Sequence, residues 1–315
     1  MGFERTKWVW MNGQFVQWSE ATVHASAHTL HYGSGVFEGI RCYETDQGPA
    51  LFRLEDHLDR LLFSASVYGM SIPYSKDELQ DAIDETIARN EFTSCYVRPI
   101  CYHGSGALSL DPKSCPIEVA ILAWPWGKYL GDEAVLAGVR LTLSSWTRFH
   151  SSMVPTTAKG CGQYVNSMLA AREAHQRGYD EALMLDLSGN IAEGSGENLF
   201  IVRSGRLFTN DERSSILPGI TRDSVLRIAA NLGIPVSIQA ISESDLLQAD
   251  EAFLTGTAAE ISPVAEVDGK QIGDSRPGPM TADIQSRFFG AVTGREPDYH
   301  HWLHYVGAAV AESCS

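Results

Sequence analysis

The chain has 315 residues, 44% of them hydrophobic and 20% charged, with 28 Gly and 13 Pro. This composition excludes a disordered, collagen-like or low-complexity chain, and the length suits two domains of roughly 150 residues each. Lys plus Arg number 24 against 39 Asp plus Glu, a net charge of −15 without a run of like charges, which argues against a nucleic-acid partner and leaves small-molecule chemistry open.

Cysteines stand at 42, 95, 101, 115, 161 and 314, and no two make a C-x-x-C. A chain this long buries a core without staples, so reduced thiols are expected. The start Met1-Gly2-Phe3-Glu4-Arg5 opens no apolar stretch, and no apolar run approaches the ~18 residues of a membrane span. The expectation is a cytoplasmic protein with no membrane partner.

In chain order, Trp8 to Met11, Asn12-Gly13 and Gln14 to Val16 spell a hairpin, because both turn residues tolerate positive φ. Phe37 to Tyr43 and Ala50 to Arg53 predict a second one. Leu58, Leu61, Leu62, Ala65 and Val67 give Glu55 to Tyr68 helical spacing, and Ser75 followed by Asp77 and Glu78 opens another helix. Cys95 to Tyr102 and Ile117 to Trp124 read as central strands. The Pro and Gly of Trp124-Pro125-Trp126-Gly127 break the pattern. Further strands are expected near Arg140 to Trp146, Glu181 to Leu187, Asn198 to Val202 and Glu251 to Thr255. Helices near Tyr164 to Arg177 and Arg222 to Leu232 are each closed by a glycine, Gly178 and Gly233. Ser204-Gly205 and Asp268-Gly269 are hairpin turns. Strands and helices mix without a βαβ repeat, so the fold class is α+β. The expected division is a small N-terminal domain over 1–125, a linker over 126–138 and a large C-terminal domain over 139–315. The tail after Gly294 shows little pattern.

Metal and serine chemistry find little support. His28 and His31 form a close pair with no acid at ligand spacing, and a hydrogen-bonded loop suits them better; His300, His301 and His304 lack a metal frame. There is no G-x-S-x-G, P-loop or G-x-G-x-x-G. Among six lysines (7, 76, 113, 128, 159 and 270), Lys159 differs: Thr156-Thr157-Ala158-Lys159-Gly160-Cys161-Gly162 surrounds it with small residues and leads into a helix. Small neighbours let a planar ligand lie against the backbone, and an amine held away from water suits Schiff-base chemistry. A surface lysine in a flexible loop fits the same residues equally well. Leu217-Pro218-Gly219-Ile220-Thr221-Arg222 feeds a helix whose N–H groups could hold a phosphate, although an ordinary capped helix explains these residues too. Gly256-Thr257-Ala258-Ala259-Glu260 is a second run of small residues, and Glu193 falls in a glycine-rich bend between two strands, where a lone Glu is commonly solvated.

Taken in order, these segments resemble the fold-type IV pyridoxal-phosphate aminotransferases, and within them the branched-chain amino acid group. The resemblance spans about Trp8 to Gly294. It rests on His31-Tyr32-Gly33 through Phe37-Glu38-Gly39-Ile40-Arg41, His57-Leu58-x-Arg60-Leu61, Tyr96-Val97-Arg98-Pro99, Ala158-Lys159, Glu193-Gly194-x-Gly196-Glu197-Asn198, Leu217 to Arg222, and Gly256 to Ile261. It implies that Lys159 holds pyridoxal 5′-phosphate as a Schiff base and then shuttles a proton, and that Glu193 partners the pyridine nitrogen. Tyr164 would bond the phenolic oxygen. Arg60, the N–H groups of Ile220 and Thr221 after Gly219, and the Thr257 hydroxyl would hold the phosphate. Tyr32, Phe37, Gly39, Trp126 and Tyr129 would line an apolar substrate pocket. Tyr96 with the Thr257 and Ala258 amides would bind the α-carboxylate, and Arg98 the second carboxylate of glutamate or 2-oxoglutarate. The loop over His103 to Leu110 would cross to a neighbouring subunit, so that Leu108 and Leu110 complete its pocket. That implies a homodimer at least, possibly a higher homo-oligomer. The expected reaction is reversible amino transfer between L-leucine, L-isoleucine or L-valine and 2-oxoglutarate. D-amino acid and (R)-amine transaminases and aminodeoxychorismate lyase share the fold. Tyr96-Val97-Arg98 with Phe37-Glu38-Gly39 favours the branched-chain type. A non-catalytic binder of the cofactor would need no Glu193.

Overall fold

The computed structural model describes residues 6–126, 138–274 and 277–307. They form two compact units, one of 6–126 with 158–162 and 290–307, the other of the remaining described residues. The segment carrying Lys159 and the end of the chain thus pack with the first unit, whereas the sequence places both with the C-terminal domain. Most of the expected linker, with Lys128 and Tyr129, lies outside the described residues.

The first unit is built on an eight-stranded sheet ordered β17-β5-β4-β6-β7-β1-β2, with β3 beside β6. Its strands are β1 (Trp8–Met11), β2 (Gln14–Gln17), β3 (Gly35–Phe37), β4 (Ile40–Thr45), β5 (Gly48–Phe52), β6 (Cys95–His103), β7 (Ile117–Trp124) and β17 (Leu303–Tyr305). A short helix α1 (His28–Tyr32) precedes β3, and α2 (Leu54–Val67) and α3 (Lys76–Arg89) bury their apolar faces in the core. Leu54, Leu58, Leu61 and Ala65 recur at helical spacing on α2 and meet Ile40, Cys42, Val97 and Ile121 of the sheet in one cluster. Helix α3 starts in a capping box, with the Glu78 N–H donating to Ser75 Oγ at 3.2 Å and the Ser75 N–H to Glu78 Oε2 at 2.7 Å. The tail carries more structure than its sequence suggests. The Arg53 N–H donates to Trp302 O at 2.7 Å, Trp302 stacks on Tyr299, and His304 Nε2 meets Asp84 Oδ2 at 2.8 Å, which seats β17 on the sheet edge. A three-residue strand has too little alternation to be read from sequence alone.

The second unit holds a nine-stranded sheet ordered β10-β9-β8-β15-β14-β11-β12-β13, with β16 beside β15. Its strands are β8 (Val139–Leu143), β9 (Glu181–Leu185), β10 (Ile191–Gly194), β11 (Asn198–Arg203), β12 (Arg206–Thr209), β13 (Val236–Ile238), β14 (Glu251–Gly256), β15 (Glu260–Val267) and β16 (Lys270–Gln271). Helices α4 (Tyr164–Gln176), α5 (Ile220–Asn231), α6 (Glu243–Leu247) and α7 (Pro279–Val292) accompany it, the last few residues of α7 counting with the first unit. The first sheet pairs antiparallel among its described strands, and the second mixes parallel and antiparallel pairs, the expected α+β class. All three two-residue turns named from sequence close hairpins with both residues at positive φ: Asn12-Gly13 at 50° and 86°, Ser204-Gly205 at 51° and 73°, and Asp268-Gly269 at 47° and 73°.

Leu61 is fully buried beside Arg60. Leu61→Ala is expected to cost about 2–5 kcal/mol through lost contacts and a residual cavity, seen as a fall in the urea midpoint; a change below about 1 kcal/mol would show that this face of α2 does not hold the core.

Candidate active site

In the first unit, α2 and β3 place Lys159. The Lys159 N–H donates to Ser64 Oγ at 2.9 Å, its carbonyl accepts from the Phe37 N–H at 3.2 Å, and the Gly162 N–H donates to Gly33 O at 3.1 Å. A Cβ on Gly160 would strike the Tyr68 hydroxyl, so any larger residue after the lysine would have to displace that ring. Half-buried, Lys159 holds its Nζ 5.2 Å from the Phe37 ring centroid.

Arg98, on β6, shares that ring, its guanidinium 4.6 Å from the Phe37 centroid, 5.4 Å from Tyr96 and 5.8 Å from Trp124. Tyr96 packs at 5.2 Å from Trp124 and 5.1 Å from Trp126. Gly39 is the floor beneath Tyr96: a Cβ there would run into the Tyr96 hydroxyl. The structure therefore brings Phe37, Gly39, Tyr96, Arg98, Trp126 and Lys159 together and adds Trp124. Tyr32 belongs elsewhere. It stands on α1, 45% exposed, with its hydroxyl donating to Leu108 O at 2.9 Å, and so joins Leu108 and the 82% exposed Leu110 on the outer loop rather than the Phe37 group.

Arg60 is clamped side-on. Its Nε donates to Glu38 Oε1 at 2.6 Å and its Nη2 to Oε2 at 2.9 Å, while His57 Nδ1 donates to Oε2 at 2.7 Å. Glu38 is fully buried. Burial alone would raise its pKa, but Arg60 and His57 outweigh that and hold the carboxyl well below the usual range. For His57, burial dominates and pushes the pKa down against the pull of Glu38, with Arg60 and Lys159 adding to the fall. Glu38 and His57 sat inside the sequence motifs without a role; the acid that orients Arg60 could have been found from their presence beside it.

In the second unit, Glu193 lies within β10, beside a register shift between Ile191 and Glu193, and not in the bend the sequence suggests. It is 5% exposed. Arg148 Nε lies 2.7 Å from its Oε1, and Oε2 accepts from the Leu217 N–H at 3.0 Å and from Asn198 Nδ2 at 3.2 Å. Asn198 Nδ2 also donates to Leu217 O at 2.9 Å, and its Oδ1 occupies the space a Cβ on Gly219 would need. Gly219 caps α5 through its backbone with no side-chain cap, so the N–H groups of Ile220 and Thr221 open the helix without a competing hydroxyl or carboxylate. Arg222 turns away, its Nη2 donating to Asn210 O at 2.6 Å. Thr257 and Ala258 form the turn between β14 and β15, and Tyr164 opens α4. Sequence reasoning missed Arg148 and the role of Asn198, since neither stands in a spacing that announces chemistry.

His28 and His31 are each held in hydrogen bonds, His31 Nε2 donating to Ala25 O at 2.9 Å. His28 Nε2 donates to Ser109 O at 2.9 Å and its Nδ1 accepts from Ser34 Oγ at 2.7 Å, and among the described residues no three His, Cys, Asp or Glu side chains are placed to hold a metal. No helix among them is long and apolar enough to cross a membrane.

The first unit thus carries a lysine among small residues, and the second a helix N-terminus free of side-chain caps tied to a buried carboxylate. This chain belongs to the class IV aminotransferases, whose family model matches residues 35–267. It is 46% identical to the branched-chain-amino-acid aminotransferase of Escherichia coli strain K12, over 97% of this chain and 99% of that one. A solved structure of the T.th. branched-chain amino acid aminotransferase complexed with N-(5′-phosphopyridoxyl)-L-glutamate superposes with a TM-score of 0.92 at 48% identity, covering 96% of this chain and 99% of the other. The Thermoproteus uzoniensis branched-chain aminotransferase with norvaline gives 0.91 at 46% identity, with 96% and 99% covered.

The two pKa directions carry a stability consequence. A histidine whose pKa is lower folded than unfolded takes its proton preferentially in the unfolded chain, so its contribution is complete above about pH 6.5 and is lost as pH falls through the folded value. Glu38 acts in the same direction, below its unfolded value of about 4.5. Stability should therefore fall on acidification from pH 6.5 to 5 by at most about 1.4 kcal/mol per unit for this one proton. His57→Asn, which keeps a donor toward Glu38, should flatten that slope in urea titrations; an unchanged slope would assign it to other groups.

Proposed function

We propose that this protein catalyses reversible amino transfer between L-leucine, L-isoleucine or L-valine and 2-oxoglutarate, with pyridoxal 5′-phosphate bound through Lys159. The observation that carries the reading is the aromatic group around Arg98, formed by Phe37, Tyr96 and Trp124 with Trp126 packed on Tyr96, and the Lys159 amine over the same Phe37 ring. The aromatic walls suit a branched aliphatic side chain, and the guanidinium suits a second carboxylate. The norvaline and the glutamate adduct named in the two neighbouring structures are ligands of these two kinds.

The cofactor, when bound, supplies an electron sink for the bonds at the substrate's Cα. Lys159 Nζ holds it and afterwards moves the Cα proton. Glu193 keeps the ring nitrogen protonated. Arg60, the N–H groups of Ile220 and Thr221 and the Thr257 hydroxyl hold the phosphate, and Tyr164 bonds the phenolic oxygen. Tyr96 with the Thr257 and Ala258 amides takes the α-carboxylate. The exposed Tyr32, Leu108 and Leu110 support a pocket completed between copies, hence at least a homodimer. We include in this proposal free amino acids and 2-oxo acids as substrates, no membrane or nucleic-acid partner, and work in the cytoplasm.

Arg98→Ala separates the two substrate types. Losing a charge-assisted hydrogen bond in a partly dry pocket costs about 1.5–3 kcal/mol, one to two decades in kcat/KM. Single-turnover rates should fall by that much for L-glutamate and little for L-leucine. An equal loss for both would make Arg98 a structural strand residue and remove the dual-recognition reading.

A further inference from the structure

Arg148 plays no part in the sequence motifs, yet the second unit builds a site around it. Its N–H donates to Leu185 O at 2.8 Å, beside β10. Asn166 of α4 clamps the residues on either side, accepting from the Phe149 N–H at 3.3 Å and donating to Thr147 O at 3.1 Å. The loop is thereby pinned from a strand and a helix at once. The side chains of Arg148 and Glu193 are each 7% exposed, and Nε stands 2.7 Å from Oε1 without the N–H alignment of a hydrogen bond. Arg148 thus offers Glu193 charge rather than a directed donor, while the directed donors, the Leu217 N–H and Asn198 Nδ2, converge on Oε2.

We propose that Arg148 is a positioning residue that keeps the shared proton on the ring nitrogen of the bound heteroaromatic cofactor rather than on Glu193. The inference rests on Glu193 being the partner of that nitrogen. In a buried pair, carboxylate with pyridinium competes against neutral acid with neutral ring, and removal from water favours the neutral arrangement. A guanidinium is always charged, and at contact distance it stabilises the carboxylate alone. The balance is one proton transferred from a carboxyl oxygen to a ring nitrogen, with no other bond changed. Since only the protonated ring is a strong electron sink, the rate of Cα deprotonation should follow this partition.

The test uses holoenzyme loaded with cofactor labelled with ¹⁵N in the ring, whose nitrogen shift reports its protonation without turnover. Two neutral variants, Arg148→Gln and Arg148→Met, guard against one failing to fold. Arg148→Lys retains the charge, and Glu193→Gln controls the underlying reading. The expected result is that the neutral variants move the shift toward that of the neutral ring and slow the leucine half-reaction by about 10- to 100-fold, whereas Arg148→Lys stays close to the unaltered protein. A shift that moves in Glu193→Gln but stays put in the neutral Arg148 variants would overturn the proposal and leave Glu193 in place. Equal movement in the lysine and neutral variants would reduce Arg148 to a packing role. No movement in Glu193→Gln would instead remove Glu193 as the ring partner.

Discussion

One face of α2 sets the geometry around Lys159 and Arg60 in the first unit. His57, Arg60, Ser64 and, at the helix end, Tyr68 follow at steps of three and four residues and therefore stand in a row. The first two grip Glu38, the third takes the Lys159 N–H, and the fourth lies over Gly160. Because Glu38 directly follows Phe37, the same row fixes the ring that Arg98 and Lys159 share. A rigid helix is thus the common reference for Arg60, Lys159 and the Phe37 ring. Buried charge makes this arrangement costly to break: removing one member of such a pair typically costs about 3–5 kcal/mol, because the other is left unpaired in the interior.

The second unit solves a parallel problem with a carboxylate at the centre. Glu193 accepts the Leu217 N–H, and Asn198 bonds both Glu193 and Leu217 O, so the segment leading into α5 is tied to the acid itself. Asn198 also explains why Gly219 carries no side chain. The start of α5 and Glu193 are consequently parts of one hydrogen-bonded piece, and a change in either is felt by the other. The absence of a side-chain cap on α5 belongs to the same logic, since a capping hydroxyl or carboxylate would compete with an anionic ligand for those N–H groups.

Much of this was legible in the sequence where local rules govern. The three hairpin turns, the Ser75 cap and the apolar stripe of α2 follow from residue chemistry within a few positions. Lys159 stood out through its small neighbours, and the motifs named Arg60 and Glu193. What stayed hidden depends on contacts distant in sequence. Arg148 lies 45 positions before Glu193, and only the strand pairing brings them together. The three-residue β17 exists because Arg53 and Asp84 seat it, not because of its own pattern. Tyr32 bonds Leu108 O, 76 positions away, a contact its motif does not announce. Trp124 reads from sequence only as the end of a central strand, although its ring also stands beside Arg98.

The central claim is a two-stage amino transfer for which Lys159 would hold the cofactor that supplies the amine-carrying chemistry. Rapid mixing of holoenzyme with L-leucine, and no oxo acid, tests it most directly. One equivalent of the branched 2-oxo acid should form per Lys159, with a matching loss of the bound cofactor's long-wavelength absorbance, and 2-oxoglutarate added afterwards should restore that absorbance while releasing one equivalent of glutamate. Absorbance that does not change with leucine, or that changes without stoichiometric oxo acid, would contradict the account.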